Sequence, residues 1–184
     1  NTANGLSGVG GGADVEVNSS AAFTDTTFSA NAAANSGQAL FLHSQTGFTS
    51  GALLDHVTIA GSVNAPAALA VDPLTVLNVT MTNSILADNT ANCDVSADIQ
   101  GGSVGNPSPN IVEQDQATTD CRIVNSNVID VDPGLLALRT AGGPNTAAGQ
   151  PIPVLPHDGT SIANNMTTCF PGVTDARGML RPAG

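Results

Sequence analysis

The stretch Phe23-Thr-Asp-Thr-Thr-Phe28-Ser-Ala-Asn31 recurs as Leu54-Asp-His-Val-Thr-Ile59-Ala-Gly-Ser62 and as Met81-Thr-Asn-Ser-Ile-Leu86-Ala-Asp-Asn89, at spacings of 31 and 27 residues. Each copy has a large apolar residue at its first and sixth positions and Asn or Ser at its ninth. Before each copy lies a short apolar stretch: Ala13-Asp-Val-Glu-Val17, Ala39-Leu-Phe-Leu42 and Ala67-Ala-Leu-Ala-Val71. Gly10–Gly12, Ser36-Gly37 and Ala65-Pro66 punctuate the entries to those stretches. Strand–turn–strand repeats of this length point to a solenoid. One unit cannot bury its own apolar residues, whereas stacking neighbours about 4.8 Å apart buries them in a continuous column.

A helical repeat of similar length is the rival reading. It fails because β-branched residues, Gly and Asn interrupt every window that would carry an i, i+3, i+4 apolar stripe. The two anchors of each copy are five residues apart, an odd number. Strict alternation would put them on opposite faces, so the strand must bend between them. The bend stacks the third-position residues Asp25, His56 and Asn83. Turned inward there, Asn or Asp bonds the coils above and below, so the column reads as structural, with Asn31 and Asn89 at the ninth position beside it. The functional alternative is a paired Asp25/His56 acid–base site.

Composition narrows the function further. Hydrophobic residues make up 41% of the 184-residue chain, enough for a core, while charged residues are only 10%. Lys, Trp and Tyr are absent, and four Arg face fifteen acids for a net charge of −11. Such a surface does not meet phosphate, which excludes nucleic acid as a partner and disfavours anionic lipid. No apolar run approaches the ~20 residues of a membrane-spanning helix, so direct membrane insertion is not expected.

From Asn92 the pattern changes. Residues 92–120 hold Gly101-Gly102, Asn106-Pro107 and Pro109 with few apolar residues, and read as a long loop bracketed by Cys93 and Cys121. Cys121–Val131 reads as a last strand pair, and the Pro- and Gly-rich stretch from Asp132 onward as an irregular tail along the solenoid. The motifs of this half are Asn92-Cys93, Cys121, Asp132-Pro133-Gly134-Leu135, Gly142-Gly143-Pro144-Asn145-Thr146, Leu155-Pro156, Ser161-Ile162-Ala163, Cys169 and Thr174-Asp175-Ala176-Arg177-Gly178-Met179-Leu180-Arg181-Pro182. They resemble the choice-of-anchor Q type domain of bacteria, related to the repeats of polymorphic outer-membrane proteins and to pectate-lyase-like folds. The resemblance is loose over residues 9–91 and specific over 92–182. It implies a right-handed parallel β-helix in a large secreted or surface-anchored protein. In the family a further Cys follows the Arg-Pro pair; here the sequence reaches Gly184 without it. Cys169 is therefore expected to be free or to lack its partner, and the chain to be a piece of a longer solenoid.

Of the three Cys, Cys93 and Cys121 are the expected disulfide, closing the loop and implying an oxidising compartment, extracellular or at the cell surface. A three-thiol metal site is the weaker alternative, since no CxxC or HxxxH spacing exists. Arg177 and Arg181 read as fasteners of the tail, pairing with Asp175 or with carbonyls; a substrate-carboxylate clamp is the functional rival. A polyuronate lyase would need a basic groove, which this composition denies. A glycoside hydrolase needs convergent carboxylates. Asp25, Asp55, Asp72 and Asp88 occupy different repeat positions, leaving Asp55-His56 as the nearest approach to a site. Asp94/Asp98 and Asp130/Asp132 offer at most weak surface Ca²⁺ binding, and no cofactor is expected. His43 and His157 stand isolated among loop residues and receive no role.

The expectation is an all-β chain, a single-stranded right-handed parallel β-helix of pectate-lyase-like kind with an irregular C-terminal tail. One domain spans 1–184: coils over 1–91, a disulfide-pinned loop and last strands over 92–131, and the tail over 132–184. Its expected work is structural or adhesive and non-catalytic. The partner is then another copy stacked on a coil end, or the remainder of a larger surface protein. The alternative is a carbohydrate-active enzyme or glycan-binding module using Asp55, His56 and Asp25.

Overall fold

The computed structural model describes residues 2–3, 8–62, 67–72, 77–94, 99–103, 106–113, 121, 123–124, 126–129, 131–137, 139–145, 151–154, 156 and 160–161. β1 (Thr2–Ala3) precedes the first coil, which comprises β2 (Ala13–Val15), β3 (Ser20–Thr24) and β4 (Thr27–Ser29). β5 (Ala32–Ala33) follows and pairs with β1 in parallel. The second coil is β6 (Leu40–Leu42), β7 (Ser50–Asp55) and β8 (Thr58–Ala60); the third is β9 (Leu69–Val71), β10 (Leu77–Thr82) and β11 (Ile85–Ala87). Three parallel sheets run down the stack, with β2, β6 and β9 on one, β3, β7 and β10 on the second, and β4, β8 and β11 on the third. This is a parallel β-helix.

The repeat read from sequence is in register residue for residue. Phe23 lies opposite Leu54, and Leu54 opposite Met81. Phe28, Ile59 and Leu86 align likewise. Leu54, Met81, Ile59 and Leu86 are fully buried, and burying each contributes about 1.5–3 kcal/mol. The bend that lets both anchors point inward is a left-handed residue: Asp25, His56 and Asn83 have φ of 50°, 56° and 52°. Asp, Asn and His are the non-glycine residues that tolerate this region best. In the first coil the two anchors meet around that bend, Phe23 edge-on to Phe28 with centroids 5.2 Å apart. A second left-handed corner recurs at Ala30, Gly61 and Asp88, and a third at Gly10 and Gly37. A Cβ on Gly37 would lie 2.6 Å from the Leu40 carbonyl oxygen, so close packing as well as φ keeps glycine there.

The inward polar ladder sits one residue later than the sequence reading placed it. The left-handed corner leaves Asp25, His56 and Asn83 half-buried at the outer edge and, in the second and third coils, turns the fourth-position Val57 and Ser84 inside. There Ser84 Oγ accepts from the Val57 N–H at 3.0 Å, and Asn110 Oδ1 accepts from the Ser84 N–H at 3.0 Å. At the ninth position Asn31 and Asn89 are buried. Asn89 accepts from the Ser62 N–H and donates to the Ile59 carbonyl, both at 3.0 Å. Ser62 is too short to continue this pattern. Among the described residues its hydroxyl is the buried side-chain polar atom with no hydrogen-bond partner.

Beyond Asn92 the structure departs from the expected loop. β12 (Cys93–Asp94) and β13 (Ile99–Gln100) pair in parallel with β9 and β10. After the short β14 (Gly102–Ser103), β15 (Asn106–Val112) pairs with β11. β12, β13 and β15 thus add a fourth layer to all three sheets. β16 (Ile123–Val124) and β17 (Ser126–Ile129) begin another on β13 and β15. Cys93 and Cys121 are bonded, with Cα atoms 5.1 Å apart. Within the tail, β18 (Arg139–Asn145) and β19 (Pro151–Val154) form an antiparallel pair where irregular chain was expected. Asp175, Arg177, Arg181 and Cys169 lie outside the described residues.

Candidate functional site

The Asp55-His56 corner forms where β7 ends. Asp55 lies opposite Thr24 on one side and Thr82 on the other, on the outward column of the second sheet. Its Oδ1 accepts from the Thr82 hydroxyl at 2.8 Å and the Asn83 amide at 3.3 Å, and lies 3.1 Å from His56 Nδ1. Burial pushes the Asp55 carboxyl upward. The Thr82 hydroxyl, the His56 ring and the Asn83 amide outweigh it and hold the pKa below the ordinary aspartate value. A carboxylate stabilised in this way is a weak base and a poor proton donor near neutrality, the opposite of what general acid–base work asks.

Asp25 joins this corner through the backbone, its N–H donating to the Asp55 carbonyl at 3.1 Å. Beside the corner, Ser20, Ala22, Gly51, Leu53, Asn78 and Thr80 line a shallow open depression of about 330 Å³ on the second sheet. Small residues make its floor, and Leu53, 42% exposed, is its one large apolar side chain. The depression has no carboxylate in its lining and no aromatic platform for a sugar ring.

The chain matches no family model, no curated protein and no solved structure. Its chemistry is therefore read from its own residues. No helix among the described residues is long and apolar enough to cross a membrane.

The structure brings together a second group that the sequence reading left apart. His43, set aside as isolated, lies between carboxylates of neighbouring coils. Its Nε2 is 3.2 Å from Asp14 Oδ1, and its Nδ1 is 3.3 Å from Asp72 Oδ2. Asp72 Oδ2 also accepts from the Ser44 N–H at 3.3 Å, and Ser44 Oγ donates to the Asp72 carbonyl at 3.0 Å. Glu16 completes the group: one ligand atom each from Asp14, Glu16 and His43 lie within 4.8 Å of one another. The signal was present in the sequence. Val15, Leu42 and Val71 are aligned in the first sheet, so the residues that follow them, Glu16, His43 and Asp72, form one column.

A third cluster, Asp88, Glu113 and Asp132, draws carboxylates within 4.8 Å of one another at the other edge of the coils. Partial desolvation and the Asp132 charge push the Asp88 carboxyl above its ordinary value. Of the acid pairs named from sequence, Asp98 and Asp130 lie outside the described residues, and Asp132 groups instead with Asp88 and Glu113.

Proposed function

We propose that this chain is a non-catalytic structural or adhesive β-solenoid module of a secreted or surface-anchored bacterial protein, as its resemblance to the choice-of-anchor Q type domain implies. The observation that carries this reading is the Asp55 corner. The acid nearest to a catalytic position accepts from the next coil and is held ionised, and no carboxylate lines the adjacent depression. Polar side chains at the corners are used to join coil to coil, which is the work of a scaffold. The Cys93–Cys121 bond fits an oxidising, extracellular setting.

Self-association through a coil end belongs to the same proposal. Among the described residues β2, β3 and β4 each stand at the end of their sheet, and edge strands offer N–H and C=O groups to another chain. Electron microscopy of the purified protein, with intact mass in the presence and absence of reductant, tests it. Rods or fibres, one internal disulfide and no cleavage of a polysaccharide panel are expected. Release of reducing ends that disappears in Asp55→Asn would overturn the reading.

The depression beside Asp55 supports a second reading, a glycan-binding module. Its open, polar-edged floor over three coils suits an extended chain of sugars. Chemical-shift changes at Leu53 and Thr80 on adding an oligosaccharide would establish it, and the absence of any shift at millimolar ligand would dismiss it.

A further inference from the structure

We propose that Asp14, Glu16 and His43 form a binding site for a borderline divalent transition-metal cation of the Zn²⁺ type, with Asp72 as the positioning residue for His43. The placement follows from the ladder. The His43 N–H bonds the Val15 carbonyl at 2.8 Å and the Asp72 N–H bonds the Leu42 carbonyl at 3.1 Å, so parallel pairing runs one residue past the strands. Glu16, His43 and Asp72 therefore leave the same corner of three successive coils, one ladder step apart. Asp14 stands two residues before Glu16 and returns to the same side by strand alternation.

The ring is held from two directions. Phe41 meets it edge-on with centroids 4.8 Å apart, and Asp72 sits on Nδ1 while itself anchored by the Ser44 N–H. With Nδ1–H donated to Asp72, the Nε2 lone pair faces Asp14, and a Glu16 carboxylate oxygen completes the group within 4.8 Å. That is the carboxylate–histidine–metal arrangement, in which an outer carboxylate fixes the tautomer and raises ligand basicity. Metal–N and metal–O bonds of about 2.0–2.2 Å put two ligand atoms on one ion up to about 4 Å apart. The trio lies within 4.8 Å, so small side-chain rotations close it on an ion. A single cation takes all three donors at once.

No Lys exists in the chain. An imidazole with two carboxylates favours a borderline ion over Ca²⁺, which prefers six or more oxygens. The Asp88, Glu113 and Asp132 cluster offers oxygen alone and serves as the internal contrast.

The test is calorimetric titration of the full chain with Zn²⁺ alone in chelator-stripped buffer at pH 7. It is repeated on His43→Gln, Asp72→Asn and the double variant His157→Gln/Cys169→Ser. One Zn²⁺ per chain is expected, with Ca²⁺ at least tenfold weaker. Affinity should fall at least about hundredfold in His43→Gln and about 10–100-fold in Asp72→Asn, and stay unchanged in the double variant. In NMR spectra of the wild type, Zn²⁺ should shift His43 Nε2 while Nδ1 keeps its proton. Absence of saturable binding, binding undiminished in His43→Gln, or binding lost in the double variant would each overturn the site.

Discussion

Two corners of the same solenoid carry the same kinds of side chain in opposite proportion. At the first, one carboxylate, Asp55, faces three donors, from Thr82, Asn83 and His56. At the other, one imidazole, His43, faces the carboxylates of Asp14, Asp72 and Glu16. The first group is satisfied by the chain itself. The second has more acceptors than donors among its own side chains, and its exposed carboxylates, Asp14 and Glu16, turn the excess outward. A buried or half-buried group whose partners are complete reads as architecture; one whose partners are in excess on one side reads as a place for something else.

Both corners depend on the interior they share, and the largest effect comes from removing it. Leu54→Ala empties the centre of the second coil and should cost about 2–5 kcal/mol in urea unfolding, with both corners lost together. A loss below 1 kcal/mol would mean that the corners hold the coil without the core.

Asp55→Ala separates the corners. It leaves the Thr82 hydroxyl and Asn83 amide without their acceptor and should cost about 1 kcal/mol at pH 7, partial exposure keeping the figure low. Because the folded pKa lies below the ordinary 3.8, this contribution is complete above that value and is lost as pH falls through the folded pKa. Wild type and variant should converge in acid. Persistence of the gap at pH 2 would assign it to packing.

The carboxylate-rich corner should respond with the opposite sign. Without metal and at low salt, Glu16→Gln should raise stability by about 0.5 kcal/mol, and added salt should erase the gain. Asp88→Asn is the smallest effect, a gain of about 0.3 kcal/mol at neutral pH, since Asn also accepts the left-handed backbone there. Its sign follows from the raised Asp88 pKa. The charged form is disfavoured by folding, so the wild type loses stability as pH rises through the folded value, and the two proteins converge below pH 3.8.

Much of this was legible in the sequence because two consecutive strands of each coil carry paired anchors. Phe23, Leu54 and Met81 fixed one column, Phe28, Ile59 and Leu86 another, and the odd spacing between them demanded the bend. The fourth layer was hidden for a physical reason. β12 and β13 are two residues each, and β15 contains Pro107 and Pro109, residues that normally mark loops. The His43 group was hidden by register. The stretches before each repeat were visible, but only alignment of Val15, Leu42 and Val71 puts Glu16, His43 and Asp72 in one column. The bend was correctly placed, while which neighbour turned inward depended on the left-handed backbone, which residue type alone does not dictate.

The disulfide spans 28 residues, close to the 27 and 28 that separate the Ser62–Asn89 and Asp55–Asn83 rungs. It is therefore a covalent turn of the coil, closed before any ladder hydrogen bond exists. In an oxidised chain the entropy of one loop closure is removed at the outset, so refolding should begin at the fourth layer and spread toward the N-terminus by nearest-neighbour addition. The Asp14, Glu16 and His43 corner, two to three layers away on the first two coils, would then assemble after the layers between and fray before them.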